Sequence, residues 1–498
     1  MRNPIKSFII FLTGASLCAT SCGLLMSEPI SEIPAGKMWK NERDVNAGIA
    51  EIYSSFRTAM RSNWFSWGEM RSDNFVLARE LPSEFTYLIS NQMSTDLEST
   101  NWTSLYKVIS NTNFAIKYIP DAEITDQALK NDYLAQAYAM RALCYFYAVR
   151  VWGAVPVYLE PVEDISNVTV HGRTDRDKVL REVILPDLEM AEDLINPANV
   201  ERKRLNRSAI YTIKADVLMW LGEWDAAGQA LDLFMSINPL EASSSTIRFQ
   251  SDINLLKNQF VNDLNNVPGN NNPTVDEYGD NNEFIFVIHQ NYIEAGLNNY
   301  SWIWKVLGCG RGQGSDVVLS PKLQKIYQNS IAQTPADKRF ANYLCESTSA
   351  AETFQVHKYM ANGISVKYQD VINCQVAYPV YRYTDVLFMK AEVLAHQSQW
   401  GQALNQIGYV LERAGVESRL AKESDFASLD EVLNYILDQK QIEQVGEGKR
   451  WFDLVKYHKA VEVMGPINGM SKQEQELFPI HQSVLNLCQG AYEQNPGY

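Results

Sequence analysis

The chain reads Ile-Tyr-Thr-Ile-Lys-Ala-Asp-Val-Leu-Met-Trp-Leu-Gly-Glu-Trp at residues 210–224 and Val-Leu-Phe-Met-Lys-Ala-Glu-Val-Leu-Ala-His-Gln-Ser-Gln-Trp at residues 386–400. In both stretches a lysine-alanine pair begins ten residues before the final tryptophan, and another alanine follows that tryptophan by three residues. The apolar residues recur at helical spacing, and a short turn precedes the tryptophan. The two stretches therefore predict two copies of a helix-turn-helix unit, typical of tetratricopeptide-like repeats of roughly 34 residues.

The alanines and tryptophans of these copies have a structural interpretation. Antiparallel helices approach closely only where the facing side chains are small, and Trp224 and Trp400 then close the turns as packing residues, because each repeat must bury a face on its neighbours. A looser third copy carries Arg141-Ala142, but the residues after Trp152 break the pattern. We therefore predict a mostly α fold, a tetratricopeptide-like helical-repeat scaffold with helix pairs near residues 133–156, 208–235 and 383–414.

The remaining chain alternates between helical and irregular patterns. Residues 46–60 and 101–119 show helix-compatible apolar spacing. Residues 241–315 instead resemble an irregular insertion, with an Asn- and Gly-rich stretch, a strand pattern at residues 284–289 and alternating glycines over residues 308–314. Loops of that length inside a compact domain are usually functional. The scaffold should therefore carry loop-rich insertions and a few short strands.

The N-terminus has the pattern of a bacterial lipoprotein signal peptide. Basic residues at positions 2 and 6 precede an apolar run and small residues just before Cys22. Such a pattern predicts export, removal of residues 1–21 and acylation of the Cys22 sulfur. A transmembrane anchor needs roughly 18 or more apolar residues, and this run is shorter. One departure is Ala19, which stands where a large aliphatic residue is usual. Residues 22–498 are expected to form a single domain.

The charge balance restricts the partners. The formal net charge is −15, and the predicted signal peptide contains two basic and no acidic residues. An acidic chain is a poor partner for nucleic acid, which attracts basic patches. It is equally unsuited to anionic lipid headgroups, so membrane attachment would depend on the N-terminal lipid.

Catalytic and metal-binding patterns are missing from the sequence. The six histidines never show His-Glu-x-x-His spacing, and no Gly-x-Ser-x-Gly motif occurs. Seven cysteines include no Cys-x-x-Cys pair, which argues against a zinc site or a disulfide framework, although a single bridge stays open. We therefore expect a protein that is not an enzyme, with no catalytic residues, no cofactor and no metal.

Two clusters combine aromatic rings with polar side chains, as sugar-binding pockets do, because rings stack on sugar faces while polar groups bind hydroxyls. The spacing of the second cluster would place its three aromatic rings on one face of an extended segment. Packing in the core is the open alternative for both clusters. The first candidate ligand-binding cluster contains Trp64, Trp67, Arg71, Asp73 and Asn74. The second contains Asn299, Tyr300, Trp302 and Trp304.

Four ordered motifs carry a resemblance to a known family. They are Ala-Met-Arg-Ala-Leu-Cys-Tyr-Phe at residues 139–146, Gly-Ala-Val-Pro at residues 153–156, Gly-Glu-Gly-Lys-Arg-Trp-Phe-Asp-Leu at residues 446–454, and the terminal Gln-Asn-Pro-Gly-Tyr. With these motifs the chain resembles the SusD/RagB family, the surface lipoproteins of Bacteroidota that partner TonB-dependent outer-membrane transporters. From their spacing, Glu447, Arg450 and Asp453 are expected to form ion pairs or caps within the fold.

The resemblance implies a SusD-like fold and a non-enzymatic, lipid-anchored outer-membrane protein. It would capture a nutrient, which we expect to be an oligosaccharide, and deliver it to a SusC-like TonB-dependent transporter. In this family glycan contacts commonly come from loops that interrupt the helices. Two alternatives stay open: a peptide-binding import lipoprotein, and a structural accessory subunit of the transporter. We expect the protein to face the cell exterior, although the residues after Cys22 lack an acidic run, which leaves a periplasm-facing protein open.

Overall fold

The structure is a computed structural model that describes residues 38–79, 83–164, 169–240, 247–260, 283–290, 306–307, 315–346, 353–359, 376–488 and 490–498. Cys22 and the predicted signal peptide lie outside these residues. Among the residues described, no helix combines the length and the apolar character needed to cross a membrane.

The N-terminal half of the described chain is mainly helical. Its helices are α1 (Glu42–Met60), α2 (Asn63–Gly68), α3 (Glu84–Ile89), α4 (Thr103–Tyr118), α5 (Gln127–Trp152), α6 (Arg176–Val179), α7 (Leu185–Leu194), α8 (Arg207–Trp220), α9 (Trp224–Ile237) and α10 (Ile253–Gln259). A π-helical turn, Leu180–Ile184, joins α6 to α7. The strands of this half are β1 (Phe75–Leu77), β2 (Val155–Pro156), β3 (Arg173–Thr174) and β4 (Phe284–Gln290).

The C-terminal half repeats this character. Its strands are β5 (Val317–Leu319), β6 (Leu344–Glu346), β7 (Phe354–Val356) and β8 (Val376–Arg382). Its helices are α11 (Pro321–Ala332), α12 (Lys338–Tyr343), α13 (Tyr383–His396), α14 (Trp400–Arg413), α15 (Leu429–Glu443), α16 (Arg450–Lys456), α17 (Ala460–Asn468) and α18 (Gln482–Leu487). The prediction of a mostly α fold with a few short strands is confirmed.

The two copies of the repeat have matching details. Helices α8 and α9 form the first pair, and α13 and α14 form the second. Two residues before each closing tryptophan the backbone has a positive φ, 73° at Gly222 and 61° at Ser398. In each copy the lysine also pairs with an acidic residue of a helix packed beside it, since Lys214 pairs with Glu192 of α7 at 2.7 Å. Likewise, Lys390 pairs with Asp232 of α9 at 2.6 Å. The sequence repeat is thus a repeat of contacts as well as of helices.

Small residues let the helices of each pair pack closely. The four alanines that the sequence pattern singles out have no solvent exposure: Ala215, Ala227, Ala391 and Ala403. Neighbouring helices continue the packing in one row, with α4 between α1 and α5, α7 between α5 and α8, and α13 between α9 and α14. Helix α15 also packs against α13. Stacking of this kind buries a continuous core between successive helices.

The strands form four antiparallel pairs in the described part of the chain: β1 with β5, β2 with β3, β4 with β8, and β6 with β7. The strand predicted at residues 284–289 is β4, whose apolar residues are buried where it pairs with β8. The pairing of β1 with β5 aligns Phe75 with Leu319 and Leu77 with Val317. It thereby joins the region after the first aromatic cluster to the end of the irregular insertion.

Candidate functional site

The first candidate cluster lies in the interior. Trp67 has no exposure, and its Nε1 donates a hydrogen bond to the Ser99 carbonyl oxygen at 2.7 Å. Trp64 is 6% exposed and packs against Tyr378 with ring centroids 4.6 Å apart. The cavity beside Trp64 measures about 50 Å³, which suits water molecules and not a sugar ring. Neither ring offers a face to a ligand, so the core-packing alternative describes both tryptophans.

The polar members of that cluster are buried cross-links. Arg71 donates to the Glu476 carbonyl oxygen at 2.9 Å, and its guanidinium lies 4.2 Å from the ring centre of Trp451. Asp73 accepts from Arg450 at 2.9 Å. Asn74 donates to Glu69 at 2.6 Å and accepts from the Gln441 amide at 2.7 Å. The polar groups of Arg71, Asp73 and Asn74 thus bind partners within the fold, which supports the core-packing alternative for this cluster.

Glu69 is the main contact between this N-terminal region and the signature segment, residues 446–454. Its buried carboxylate accepts hydrogen bonds from the backbone N–H groups of Gly446 at 3.1 Å, Gly448 at 2.9 Å and Lys449 at 3.2 Å. Burial raises the pKa of Glu69 to about 7, against the opposing effect of the Asn74 and backbone hydrogen bonds. A carboxylate at this place caps the turn that leads into α16.

The signature segment also anchors a network of buried charges. Arg382 binds Glu447 at 2.9 Å, Glu443 at 3.0 Å and Glu283 at 2.6 Å, and none of these side chains is exposed. Lys358 adds a second cation to Glu447 at 2.6 Å. The two nearby cations hold the pKa of Glu447 at about 2, although burial acts in the opposite direction.

The other charged residues of the signature segment are also paired internally. Arg450 binds Asp73, and Asp453 accepts from Lys440 at 2.6 Å. The prediction that Glu447, Arg450 and Asp453 act within the fold is confirmed.

The C-terminal motif docks on the end of α5. Asn495 donates from Nδ2 to the carbonyl oxygens of Trp152 at 3.0 Å and Phe478 at 2.7 Å. The Tyr498 hydroxyl donates to the Leu477 carbonyl oxygen at 2.9 Å. The terminal residues therefore tie the end of α5 to the segment at residues 477–478.

The second candidate cluster, Asn299, Tyr300, Trp302 and Trp304, lies outside the described residues, as do the alternating glycines of residues 308–314. The residues that flank them are described. The Asp316 N–H donates to the Val306 carbonyl oxygen at 3.0 Å, and the Ala78 N–H donates to the Asp316 carbonyl oxygen at 3.0 Å. These contacts bring both ends of the 308–314 segment to the end of β1.

We call this place the β1–β5 rim, formed by Ala78, Arg79, Val306, Leu307 and Asp316. Arg79 and Asp316 form an ion pair at 3.4 Å, in which the arginine side chain is 55% exposed and the aspartate side chain 10% exposed. Sequence reasoning missed both residues. They are 237 positions apart, and no local pattern connects them. The rim offers a guanidinium, a carboxylate and backbone polar groups, which are the groups that bind sugar hydroxyls.

The described cysteines and the potential metal ligands do not form a metal site. Cys345 on β6 is disulfide-bonded to a residue outside the described part of the chain. Cys144 is a buried free thiol and Cys488 a partly buried one. Among the described residues, no three side chains of the metal-binding types come together as a group that could hold an ion.

Comparison with known proteins identifies the class of this helical scaffold. A family profile described as "SusD family" matches residues 340–498, which include the signature segment. A second profile, described as "Starch-binding associating with outer membrane", matches residues 36–219. The chain belongs to the SusD/RagB family.

Individual relatives agree over nearly the whole length. The chain is 28% identical to SusD-like protein P38 of Formosa agariphila over 514 aligned positions, which cover 96% of each chain. Its fold is similar to that of B. fragilis NanU, with a TM-score of 0.73, 21% identity and coverage of 95% of this chain and 99% of that one. A structure described as a laminarin-binding SusD-like protein gives a TM-score of 0.72 at 19% identity, covering 92% of this chain and all of the other.

Proposed function

We propose that this chain is a non-enzymatic lipoprotein of the outer membrane that binds an oligosaccharide outside the cell and delivers it to a SusC-like TonB-dependent transporter. Membership of the SusD/RagB family supports a binding role, and one matching profile is described as starch-binding and associated with the outer membrane. One structural relative is described as laminarin-binding. The lipid on Cys22 would hold the protein at the membrane.

The geometry of the β1–β5 rim carries this proposal. Because Asp316 bonds to both Val306 and Ala78, the last part of the insertion is anchored at the β1–β5 rim, and Val306 follows Trp304 by only two residues. We propose Asn299, Tyr300, Trp302 and Trp304 as the ligand contacts there, with Arg79 and Asp316 of the rim as hydrogen-bonding partners. Aromatic rings would take the apolar sugar faces, and the polar groups would take the hydroxyls.

The proposal also includes a route for delivery. A lipid at one end of the chain leaves the folded body free to hinge over the transporter, so that a bound ligand becomes enclosed between the two proteins. The row of stacked helices presents the extended surface that such a contact needs, because helical repeats form long continuous faces. The disulfide at Cys345 is consistent with an oxidising location outside the cytoplasm.

Calorimetric titration tests the ligand class. The protein would be the chain from Ser27, which lacks the lipid and retains every residue that the structure describes. It would be titrated with plant, host and microbial oligosaccharides and with mixed peptides. We expect a heat of binding with the oligosaccharides of one of these three sources. We expect this heat to be lost in Trp302→Ala and Trp304→Ala.

The matched control is Tyr87→Ala, which removes an aromatic ring that is 48% exposed on α3 and is not among the residues that form the rim. Melting curves would verify that all variants stay folded. Binding of peptides alone would favour the peptide-import alternative. No heat of binding with any of the compounds would favour the accessory subunit. Protease treatment of intact cells tests the location, since full protection would contradict a protein that covers its transporter from outside.

A further inference from the structure

A second concavity lies between helix ends that the rim does not include. It has a volume of about 260 Å³ and is bordered by the last residues of α5 and α8, the end of α16 and the turn at Gln473–Glu476. We call it the Trp220 cavity, and its lining includes Val149, Arg176, Trp220, His458, Gln473 and Glu476. It shares no lining residue with the rim, so the proposed function does not account for it.

Glu476 is the unusual group in this cavity. The residue is 6% exposed, yet its Oε1 has no hydrogen-bond partner in the part of the chain that the structure describes. The other carboxylate oxygen lies 3.9 Å from His458 Nδ1, too far for a direct hydrogen bond. Burial raises the pKa of Glu476 to about 7, against the opposing effect of Arg71, Arg176 and Gln473. A hydroxyl donor that entered the cavity would give this carboxylate a further hydrogen bond in a mostly buried place.

The rest of the lining supplies complementary surfaces. Trp220 is half-buried, with its ring edge-on to Phe146 at a centroid distance of 6.2 Å, and it forms an apolar wall together with Val149. Polar groups stand around that wall. Arg176 is 38% exposed at its side chain, and the amide of Gln473 lies 2.5 Å from His458 Nδ1. Aromatic, donor and acceptor surfaces therefore meet in one small space.

The mixture of charges selects the ligand class. An anion would meet Glu474 and Glu476, while a cation would meet Arg150 and Arg176, all of which line the cavity. A neutral molecule with both hydroxyl groups and an apolar face avoids either repulsion. We propose that the Trp220 cavity binds a single neutral sugar ring, which stacks on Trp220 and donates a hydroxyl hydrogen bond to the carboxylate of Glu476.

This site is independent of the one proposed at the rim. A sugar in the Trp220 cavity would be held between α5, α8 and α16, and the residues proposed as ligand contacts at the rim would not touch it. Its volume suits one ring and not a chain, because ligand pockets for larger molecules usually exceed about 300 Å³. The terminal unit of a longer glycan and a free monosaccharide share the same chemistry, and the experiment separates these sources.

The test uses ligand-observed saturation-transfer NMR on the chain from Ser27. The probes are the methyl glycosides of glucose, galactose, mannose and N-acetylglucosamine, together with a trisaccharide of each that bears the same unit at its non-reducing end. We expect transfer from at least one glycoside, and binding at least about tenfold weaker in Glu476→Gln, since a hydrogen bond to a charged group contributes about 1.5–3 kcal/mol. Trp220→Ala should abolish the signal.

The controls separate this site from the rim and from a folding defect. Tyr87→Ala should leave glycoside binding unchanged, and Glu476→Gln should reduce the transfer equally with and without Trp302→Ala. The amide introduced by Glu476→Gln keeps the shape of the original carboxylate, so this variant remains informative even if Trp220→Ala does not fold. Binding of the trisaccharide alone would identify a glycan end as the source, still with loss in Glu476→Gln. The proposal is overturned if no glycoside binds, or if binding persists in Glu476→Gln and disappears in Trp302→Ala.

Discussion

The signature segment and the β1–β5 rim differ in almost every physical respect. Around the signature segment the charges are fully buried and paired with one another, as Arg382 shows by binding three glutamates. At the rim one arginine, Arg79, is more than half exposed and has a single ion-pair partner. The buried network restricts the sequence because each charge needs its partner, whereas the rim tolerates change. The most recognisable motif in the chain therefore holds the fold together.

Breaking the buried network should have the largest effect. Arg382→Met would leave Glu283 and Glu443 with one fewer cation and Glu447 with only Lys358. We expect a loss of about 3–5 kcal/mol in the free energy of unfolding, because removing one partner of a buried ion pair leaves an uncompensated charge. Urea unfolding measures it. The control is Arg181→Met, whose arginine is 52% exposed and should matter little. Equal stability of the two variants would contradict this account of the network.

Four carboxyl groups with shifted pKa values predict that the protein is most stable in weakly acidic solution. The folded-state pKa of Glu447 and of Glu392 is about 2, below the ordinary 4.5, so their stabilisation is complete above pH 4.5 and is lost as the pH falls toward 2. Glu69 and Glu476 have pKa values raised to about 7, so their contribution is complete below pH 4.5 and is lost as the pH rises through 7.

Urea midpoints should therefore be highest near about pH 5 and lower at both pH 3 and pH 8. In Glu69→Gln the decline between pH 5 and pH 8 should be smaller, whereas the decline toward pH 3 should persist. A wild-type midpoint that rises steadily from pH 5 to pH 8 would show that burial does not dominate the titration of Glu69.

Two glycines with positive φ, one in the signature segment and one outside it, distinguish the cost of backbone strain from the cost of close packing. Gly448 has φ of +69°, and a Cβ atom there would lie 2.6 Å from the Trp64 ring. Gly469 has φ of +77° with no neighbouring atom within 4 Å of that position. We expect Gly469→Ala to cost about 1–2 kcal/mol from the left-handed backbone alone. Gly448→Ala should cost roughly 1–3 kcal/mol more because of overpacking. Equal losses in thermal unfolding would mean that Trp64 can move aside.

The rim should give the smallest change in stability. Arg79→Ala removes an exposed ion pair, and we expect less than about 1 kcal/mol in the free energy of unfolding. If the rim binds the ligand, the same variant should weaken affinity for the glycan found by calorimetry about three- to tenfold. Arg181→Ala, which removes another exposed arginine, should change neither quantity. Unchanged affinity in Arg79→Ala would exclude the guanidinium from ligand contact.

The helices could be predicted from sequence because their signals are local. Lys214 and Lys390 stand at equivalent places in two repeated stretches, and in the structure each forms an ion pair with a helix packed beside its own. The burial of Arg71 and Asp73 could not be predicted in this way. Their partners lie 405 and 377 residues further along the chain, so a window around Trp64 shows only aromatic and polar residues of the kind found on a surface.

The rim was missed for a related reason. Arg79 follows a three-residue strand and Asp316 precedes another, and neither strand is long enough to show an alternating pattern. Their proximity depends on the pairing of β1 with β5, which closes a loop of more than 200 residues. Local periodicity therefore predicts which segments are helices, whereas the polar contacts between distant segments require the assembled structure.

The hydrogen bonds from Gly446, Gly448 and Lys449 to Glu69 also have a consequence for protein synthesis, because Glu69 is made long before these partners. The ribosome releases Glu69 long before Gly446, which is 377 residues later, and at about 5–20 residues per second the delay is roughly 20–75 s. During that interval Glu69 and Arg71 can bind only nearby partners such as Asn74 and Asn91. The polar contacts between the N-terminal core and the signature segment can therefore form only after the last part of the chain has been made.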